Sequence, residues 1–183
     1  VHRLKQRYST FMSDIVLTRN SFGFVSSSRG VKQSFPNCVT LVSSDGKSYV
    51  KESDVTRNKE LLEKYKVIIG TLNPDRGGVN NASDGKMNVT TKVRILQPRE
   101  VPTETYIVLN TFDTYDEAEN FSKFICTKTI RYLISLTLSS MHIVRENFQF
   151  VPVIDFAKEW TDDLLQDLFD LTTDEISIID NVI

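Results

Sequence analysis

Cysteine and histidine are scarce in this chain of 183 residues, which contains two of each. Cys38 and Cys126 are too few for a disulfide framework, and neither has a cysteine or histidine nearby at a metal-ligand spacing. The composition therefore excludes a structural zinc site and favours a reducing, cytoplasmic location. His2 and His142 are the only imidazoles that could serve as catalytic bases, so the residues give little support to nucleophilic catalysis.

Long apolar runs and phosphate-binding glycine loops are also missing from the sequence. No run of about 18 apolar residues occurs, so we expect no membrane-spanning helix. The pair Gly77-Gly78 lacks the downstream Lys-Ser/Thr and the following helix that a nucleotide-binding loop needs. No signal peptide is visible, and we interpret the chain, which begins at Val1, as a fragment of a longer protein.

Charged residues are plentiful but unevenly distributed along the chain. Residues 1–99 carry 17 Lys and Arg against 8 Asp and Glu, whereas residues 100–183 carry 5 against 16. The asymmetry is hidden in a formal net charge of −2, and it indicates a nucleic-acid partner for the front half. The alternative interpretation is that the two halves neutralise each other across a shared core.

The hydrophobic pattern predicts an α+β fold in one domain that spans residues 1–183. Short aromatic and β-branched runs predict a mostly antiparallel sheet in the N-terminal half, and Asp45-Gly46 predicts a hairpin turn. The pattern then changes to helical spacing, and Thr114 and Thr172 each open a capping box. We expect a β-rich, basic part over about residues 8–110 and a mostly helical, acidic part over residues 111–183.

Finer expectations follow from the same pattern. Residues 22–25 and 89–96 read as strands, residues 66–70 as a buried central strand, and residues 58–65 as a short helix. A helical span after Thr114 is expected to break near Thr127. We expect five of its apolar side chains to be mostly buried, namely Phe121, Phe124, Ile125, Leu133 and Leu136.

The basic front half contains residue types that suit a major-groove reader. Arginine can read guanine, asparagine and glutamine can read adenine, and lysine holds phosphate. Residues 71–88 contain three glycines, one proline and four asparagines, so we expect a functional or mobile loop with little to anchor it. The candidate DNA-binding residues are Arg19, Asn20, Arg29, Lys32, Gln33, Asn73, Arg76, Asn80, Asn81, Lys86, Lys92 and Arg94.

A second pattern favours a different chemistry. Pro74-Asp75 and the later Asp84-Gly85-Lys86 have the outline of a metal-dependent nuclease motif. That chemistry needs two carboxylates and a lysine held rigidly around a magnesium ion. All of these residues fall in the Gly/Asn-rich loop, so a turn at Asp-Gly is the preferred interpretation, and we assign no metal ligands and no catalytic residues.

The order of several short motifs resembles the C-terminal target-recognition region of adenine-specific DNA methyltransferases of type II restriction–modification systems. The resemblance covers roughly residues 60–183 well and residues 8–59 more loosely. The motifs are Lys64–Ile69, Thr103–Val108, Phe112-Asp113, Glu117–Asn120, Thr127–Leu136, Phe148–Phe156, Trp160-Thr161-Asp162 and Leu171–Ile176.

This resemblance implies a sequence-specific DNA-recognition module whose partner is double-stranded DNA. The family's cofactor loop and its Asn-Pro-Pro-Tyr motif do not occur here, since Asn73-Pro74 is followed by Asp75-Arg76. S-adenosylmethionine is therefore expected in a catalytic methyltransferase domain of the same polypeptide, outside this chain. The alternatives are a restriction endonuclease domain and a protein-interaction module that uses the acidic C-terminal helices.

Overall fold

The computed structural model describes residues 1–75 and 85–183 as an α+β fold. The strands are β1 (Cys38–Ser43), β2 (Gly46–Lys51), β3 (Tyr65–Gly70), β4 (Arg94–Leu96), β5 (Glu100–Pro102) and β6 (Tyr106–Phe112). The helices are α1 (His2–Arg7), α2 (Met12–Ile15), α3 (Tyr115–Cys126), α4 (Lys128–Ser135), α5 (Asp162–Leu168) and α6 (Thr173–Val182). The α+β class is confirmed, but α1 and α2 precede the first strand, so helices are not confined to the C-terminal half.

The described strands form two three-stranded sheets rather than one. In the first sheet β1 lies between β2 and β5, antiparallel to β2 and parallel to β5. In the second sheet β3 lies between β4 and β6 and is antiparallel to both, with an irregularity in register between Val67 and Ile68. The expected central strand is thus β3, and the sheets are mostly antiparallel as predicted.

The second sheet is covered on both faces, which explains why β3 is apolar without alternation. Val67 and Ile69 face a core shared with α3 and α4, whereas Ile68 belongs to a core shared with the first sheet. Side chains of adjacent strand residues point to opposite faces, so both sets are buried. We call the core shared with α3 and α4 the helix core, and the core shared with the first sheet the inter-sheet core.

The helix starts follow the sequence signals. Thr114 and Thr172 accept hydrogen bonds from the backbone N–H groups of Glu117 and Glu175, as capping boxes predict. The Thr172 N–H in turn donates to the Glu175 carboxylate and, with Arg3, lowers its pKa. The predicted break near Thr127 is confirmed, because this residue ends α3 and caps α4.

The hairpin between β1 and β2 forms with Ser44 and Asp45 as its two turn residues. Ser43 pairs with Gly46, which adopts a φ of 112° that suits glycine. Only Gly46 of the Asp-Gly pair has a positive φ, so the turn lies one residue earlier than the pattern predicts.

Several local predictions are wrong. Residues 22–25 form a turn followed by irregular backbone, although Phe22 and Phe24 are buried in the inter-sheet core. In place of the helix predicted over residues 58–65 there is a 3₁₀ turn, Lys59–Leu61, and β3 already begins at Tyr65. Leu136 is 45% exposed, unlike Leu133, because it lies at the C-terminal end of α4 and lines a surface cleft with Ile178 instead of the core.

The strand predicted over residues 89–96 shortens to β4. The hydroxyl of Thr91 accepts a hydrogen bond from Gly70 N at 2.7 Å, so a side chain replaces the backbone partner there. Val89 has a φ of 66°, outside the range of a strand, and is fully buried. Local side-chain bonds therefore override the alternating pattern.

Candidate nucleic-acid interface

One edge of the two sheets brings together several of the candidate residues that the structure describes. The edge is formed by the end of β1, the end of β3, the start of β4 and the start of β6, and we call it the loop end. Thr103 N donates to Val42 O at 2.9 Å, and Tyr106 Oη lies 3.4 Å from Ser43 O, so the two sheets meet there. Thr71 N donates to Thr105 O at 3.0 Å, which places the start of the 71–88 loop at this edge.

Two of the predicted arginines lie at the loop end, each in an ion pair. Arg19 is 69% exposed at its side chain and lies 3.3 Å from Glu104, whose other oxygen accepts from Ser26 N. Arg29 pairs with Asp45 of the hairpin turn and lowers the pKa of that carboxyl through a hydrogen bond and charge attraction. Exposed ion pairs contribute little to stability, so Arg29 can exchange Asp45 for a phosphate, whereas Glu104, the partner of Arg19, is only 18% exposed.

The segment that carries these arginines contains no acid of its own. Between Asp14 and Asp45 the chain has three cations and no Asp or Glu. Lys32 and Gln33 are exposed beside Val31, which pairs with β2 at Tyr49. Within residues 1–75 and 85–183 the Lys32 side chain has no ion pair, so its charge is available to solvent or to a polyanion.

Two of the predicted asparagines serve the fold instead. Asn20 adopts a left-handed φ of 61°, and its backbone carbonyl accepts from Gly23 N and, at 3.5 Å, from Arg57. Asn73 is 4% exposed, and its side-chain oxygen accepts from Asp75 N at 2.8 Å. The buried amide of Asn73 cannot reach a base edge in this conformation.

Asp75 closes the base of the 71–88 loop. Its carboxylate, which is 1% exposed, accepts from the backbone N–H groups of Asn88 at 3.1 Å and Val89 at 2.5 Å. The expectation that nothing anchors this loop is therefore wrong at both of its ends. Arg76, Asn80, Asn81 and Asp84 lie outside the described residues.

The same contacts weaken the nuclease alternative. Both oxygens of Asp75 are used by backbone donors, so this carboxylate is not free to bind magnesium. In the part of the chain that the structure describes, no three His, Cys, Asp or Glu side chains are arranged to hold a metal ion.

Lys86 lies against the acidic C-terminal helix and not at an open surface. Its ammonium donates to Asp180 O at 2.8 Å, and the next residue, Met87, donates its N–H to Val182 O at 2.8 Å. Because these contacts hold the returning arm of the loop on α6, Lys86 is a poorer candidate for phosphate than the sequence predicts.

Lys92 and Arg94 differ in their exposure and in their contacts with the rest of the chain. Lys92 is exposed, between Thr91 and the start of β4. Arg94 is half-buried, with its guanidinium 5.4 Å from the Tyr106 ring centre and a 3.1 Å hydrogen bond to the Tyr106 hydroxyl. Stacking fixes the position of Arg94 while leaving its charge at the loop end.

A cleft of about 220 Å³ at the loop end contains polar residues that the sequence does not identify. His142 and Arg145 line it together with Arg19. Two contacts hold the segment from His142 to Arg145 at this position. Ile143 N donates to Thr71 O at 2.7 Å, and Arg145 donates through Nε and Nη2 to Ser13 O. Contacts between residues 132 positions apart leave no local sequence signal.

The acidic half neutralises part of the basic half, as the alternative interpretation of the charge predicts. The ion pairs that join the first 99 residues to the rest include Arg3–Glu175, Arg7–Asp170, Arg19–Glu104, Lys47–Glu100 and Lys64–Asp113. Only Arg19 of these cations is among the candidate residues.

No protein-family profile matches the chain, and no curated protein sequence is significantly similar to it. Among the helices within residues 1–75 and 85–183, none combines the length and apolar composition that crossing a bilayer requires, and the longest has 12 residues.

Proposed function

We propose that this chain is a sequence-specific DNA-binding module, the target-recognition region of an adenine-specific DNA methyltransferase of a restriction–modification system. In this proposal the basic, β-rich part over about residues 8–110 carries the DNA contacts. The acidic, mostly helical part over residues 111–183 faces away from the DNA. A separate catalytic domain of the same cytoplasmic protein binds S-adenosylmethionine and transfers the methyl group.

The observation that carries the proposal is the clustering of cations at the loop end. Arg19, Arg29 and Arg94 surround this edge, and Lys92 lies beside it. The partner of Arg29 is exposed, Arg94 stacks on a ring, and the Arg19 side chain is itself 69% exposed although its partner Glu104 is only 18% exposed. Loops presented by a rigid scaffold are common binding surfaces, and DNA affinity depends chiefly on such charges.

The charge of the acidic helices supports the proposed orientation, in which residues 111–183 face away from the DNA. From Glu159 to Ile183 the chain has eight acids and no Lys or Arg, a surface that repels phosphate. Their apolar side chains mostly pack on the chain's own core, since Trp160, Leu165, Phe169 and Ile179 are buried. This packing leaves less apolar surface for the protein-interaction alternative, although Leu164 and Ile178 remain exposed.

The test is DNA binding measured by fluorescence anisotropy, first with a randomised duplex pool and then with the selected sequence. We expect affinity that survives EDTA and falls with salt, with a slope of about −0.9 for each phosphate contact. Arg19→Ala and Lys92→Ala should each shallow the slope by about one unit. Lys123→Ala, which removes an exposed cation of α3 in the acidic half, is the matched control and should leave the slope unchanged.

Other outcomes separate the alternatives. Cleavage of the duplex that requires magnesium would replace the proposal with the nuclease. Failure to bind any duplex at low salt would contradict it outright. If Arg19→Ala, Lys92→Ala and Lys123→Ala all bind as the parent does, the loop end is not the interface.

A further inference from the structure

We infer that Arg94 reads a guanine, through the hydrogen-bond acceptors that this base presents in the major groove of a paired duplex. The inference rests on the proposed function and deepens it, because it names one base of the recognised sequence and the residue that selects it. Its basis is a guanidinium group that is held in a fixed plane and still has two donors free.

Contacts with Tyr106 fix the plane of this guanidinium. Nη1 of Arg94 donates to the Tyr106 hydroxyl at 3.1 Å, and the guanidinium carbon lies 5.4 Å from the centre of the Tyr106 ring. Tyr106 is itself held by the fold, since it packs against the inter-sheet core and its hydroxyl lies 3.4 Å from Ser43 O. The Arg94 side chain is therefore positioned between the two sheets before a ligand arrives.

The other edge of the same guanidinium is free. Within residues 1–75 and 85–183, Nε and Nη2 of Arg94 have no hydrogen-bond or ion-pair partner, and neither atom is enclosed by the protein. The N–H groups of these two nitrogens lie on one edge and form a fork of two donors. Such a fork matches the O6 and N7 acceptors of guanine, which is the commonest specific contact between an arginine and a base.

The other arginines of the loop end lack this combination. Arg29 donates to protein acceptors from all three of its nitrogens, and Arg145 uses Nε and Nη2 on a single backbone carbonyl. Arg19 is 69% exposed at its side chain and is held by one contact, with Glu104, so its plane is not fixed. Among these four arginines, Arg94 alone has both a fixed plane and a free fork.

A fork of this kind also suits a phosphate, but the fixed plane favours the base. Phosphate contacts need charge near the backbone, and the exposed Lys92 supplies it two residues earlier. A guanidinium that cannot turn away discriminates between bases, because adenine presents its N6 donors where guanine presents the O6 acceptor. The wrong base would then leave the donors of Arg94 without acceptors, which costs binding energy.

The experiment starts from the duplex selected out of the randomised pool and replaces each of its guanines in turn by 7-deazaguanine, which retains pairing and lacks the N7 acceptor. At one guanine the replacement should weaken binding of the parent by about tenfold in anisotropy. Arg94→Lys retains the charge without the fork and should bind both duplexes equally. Arg7→Lys makes the same exchange at the ion pair with Asp170 and is the matched control, which should keep the sensitivity of the parent.

Tyr106→Phe tests the positioning of Arg94 separately. This variant retains the ring under the guanidinium and removes the hydroxyl that accepts from Nη1. We expect a smaller difference in affinity between the guanine and 7-deazaguanine duplexes, with the salt slope unchanged because no charge is lost. If the hydroxyl only stabilised the fold, the variant would lower Tm and leave the ratio of the two affinities as in the parent.

The outcomes separate this inference from the proposed function. If no guanine of the selected duplex is sensitive to the replacement, or if Arg94→Lys retains the sensitivity, the guanine assignment is overturned and the DNA-binding proposal stands. If Arg94→Ala weakens the selected and unrelated duplexes alike and shallows the salt slope by about one unit, the fork binds a phosphate and the assignment is also overturned. Failure of the parent to bind any duplex contradicts both proposals.

Discussion

Asp162 stabilises the start of a helix to which it does not belong. It is the first residue of α5, yet its carboxylate accepts from the backbone N–H groups of Lys128 at 3.0 Å and Thr129 at 2.8 Å, the first two residues of α4. The Thr129 hydroxyl donates to the same carboxylate at 2.8 Å. With Thr127 accepting from Ile130 N, the first three N–H groups of α4 all have partners. We predict that Asp162→Ala is the most damaging substitution of an acidic residue in the segment from Glu159 to Ile183.

The magnitude follows from the groups left behind. Thr129 is 1% exposed, so its N–H and hydroxyl would lose a charged partner in a place that water reaches poorly. A hydrogen bond to a charged group contributes about 1.5–3 kcal/mol, and these three are not additive because they share one carboxylate. Water can replace the partner of Lys128 N, since Lys128 is partly exposed. We expect a loss of about 3 kcal/mol, which in a chain of this size lowers Tm by about 6–12 °C.

The measurement is urea unfolding followed by circular dichroism, with Asp163→Ala as the matched control. Asp163 is the exposed neighbour in the same helix turn, where a carboxylate contributes about 0.3–1 kcal/mol through the helix dipole. Asp162→Asn retains one acceptor and should fall between the two. If Asp162→Ala and Asp163→Ala cost the same, the bridge between α5 and α4 does not stabilise the fold, and the reasoning is refuted.

Two further predictions concern buried charges. Lys66 is fully buried, burial lowers its pKa to about 8, and its ammonium donates to two backbone carbonyls. In the unfolded chain this lysine keeps its proton up to a pKa of about 10.4, so the free energy of unfolding should rise between about pH 8 and pH 10. Paired urea titrations of Lys66→Met should lack the part of this rise that Lys66 causes. Asp75→Ala should lower the free energy of unfolding by about 2–4 kcal/mol in the same assay, because it leaves two backbone N–H groups without a partner. Equal stability of variant and parent would show that this carboxylate does not close the base of the loop.

The parts of the fold that the sequence predicts are those set by neighbours along the chain. Capping at Thr114 and Thr172 depends on groups three residues away, and the helical periods of α3 and α4 follow from packing on one face. The apolar run of β3 predicts burial on both faces because no polar alternation remains. Each of these features is decided within a few residues, so one sequence suffices.

The parts that the sequence does not predict depend on pairs far apart in the chain. The Trp160-Thr161-Asp162 motif is visible, but the use of Asp162 to cap α4 joins residues more than 30 positions apart. Asp75 is also bonded to residues distant in the chain. Its polar neighbours in sequence suggest an open turn, whereas its carboxylate is buried against Asn88 and Val89. A carboxylate in a loop can face solvent, a metal or a distant backbone, and composition does not distinguish these.

The charge of the front half illustrates the difference between a sequence and a surface. Arg3 and Arg7 contribute to the basic total, yet both lie against the acidic C-terminal segment and add little to a field that DNA would meet. Lys86 likewise lies against the acidic C-terminal segment, because its ammonium donates to Asp180 O of α6. A smaller set of cations lies together at the loop end, and a concentrated set is the more favourable arrangement for a polyanion, since the Debye length of about 8 Å makes only nearby charges act together. If the proposed function holds, the positive charge that attracts DNA is the one at the loop end, and it can be tested there one residue at a time.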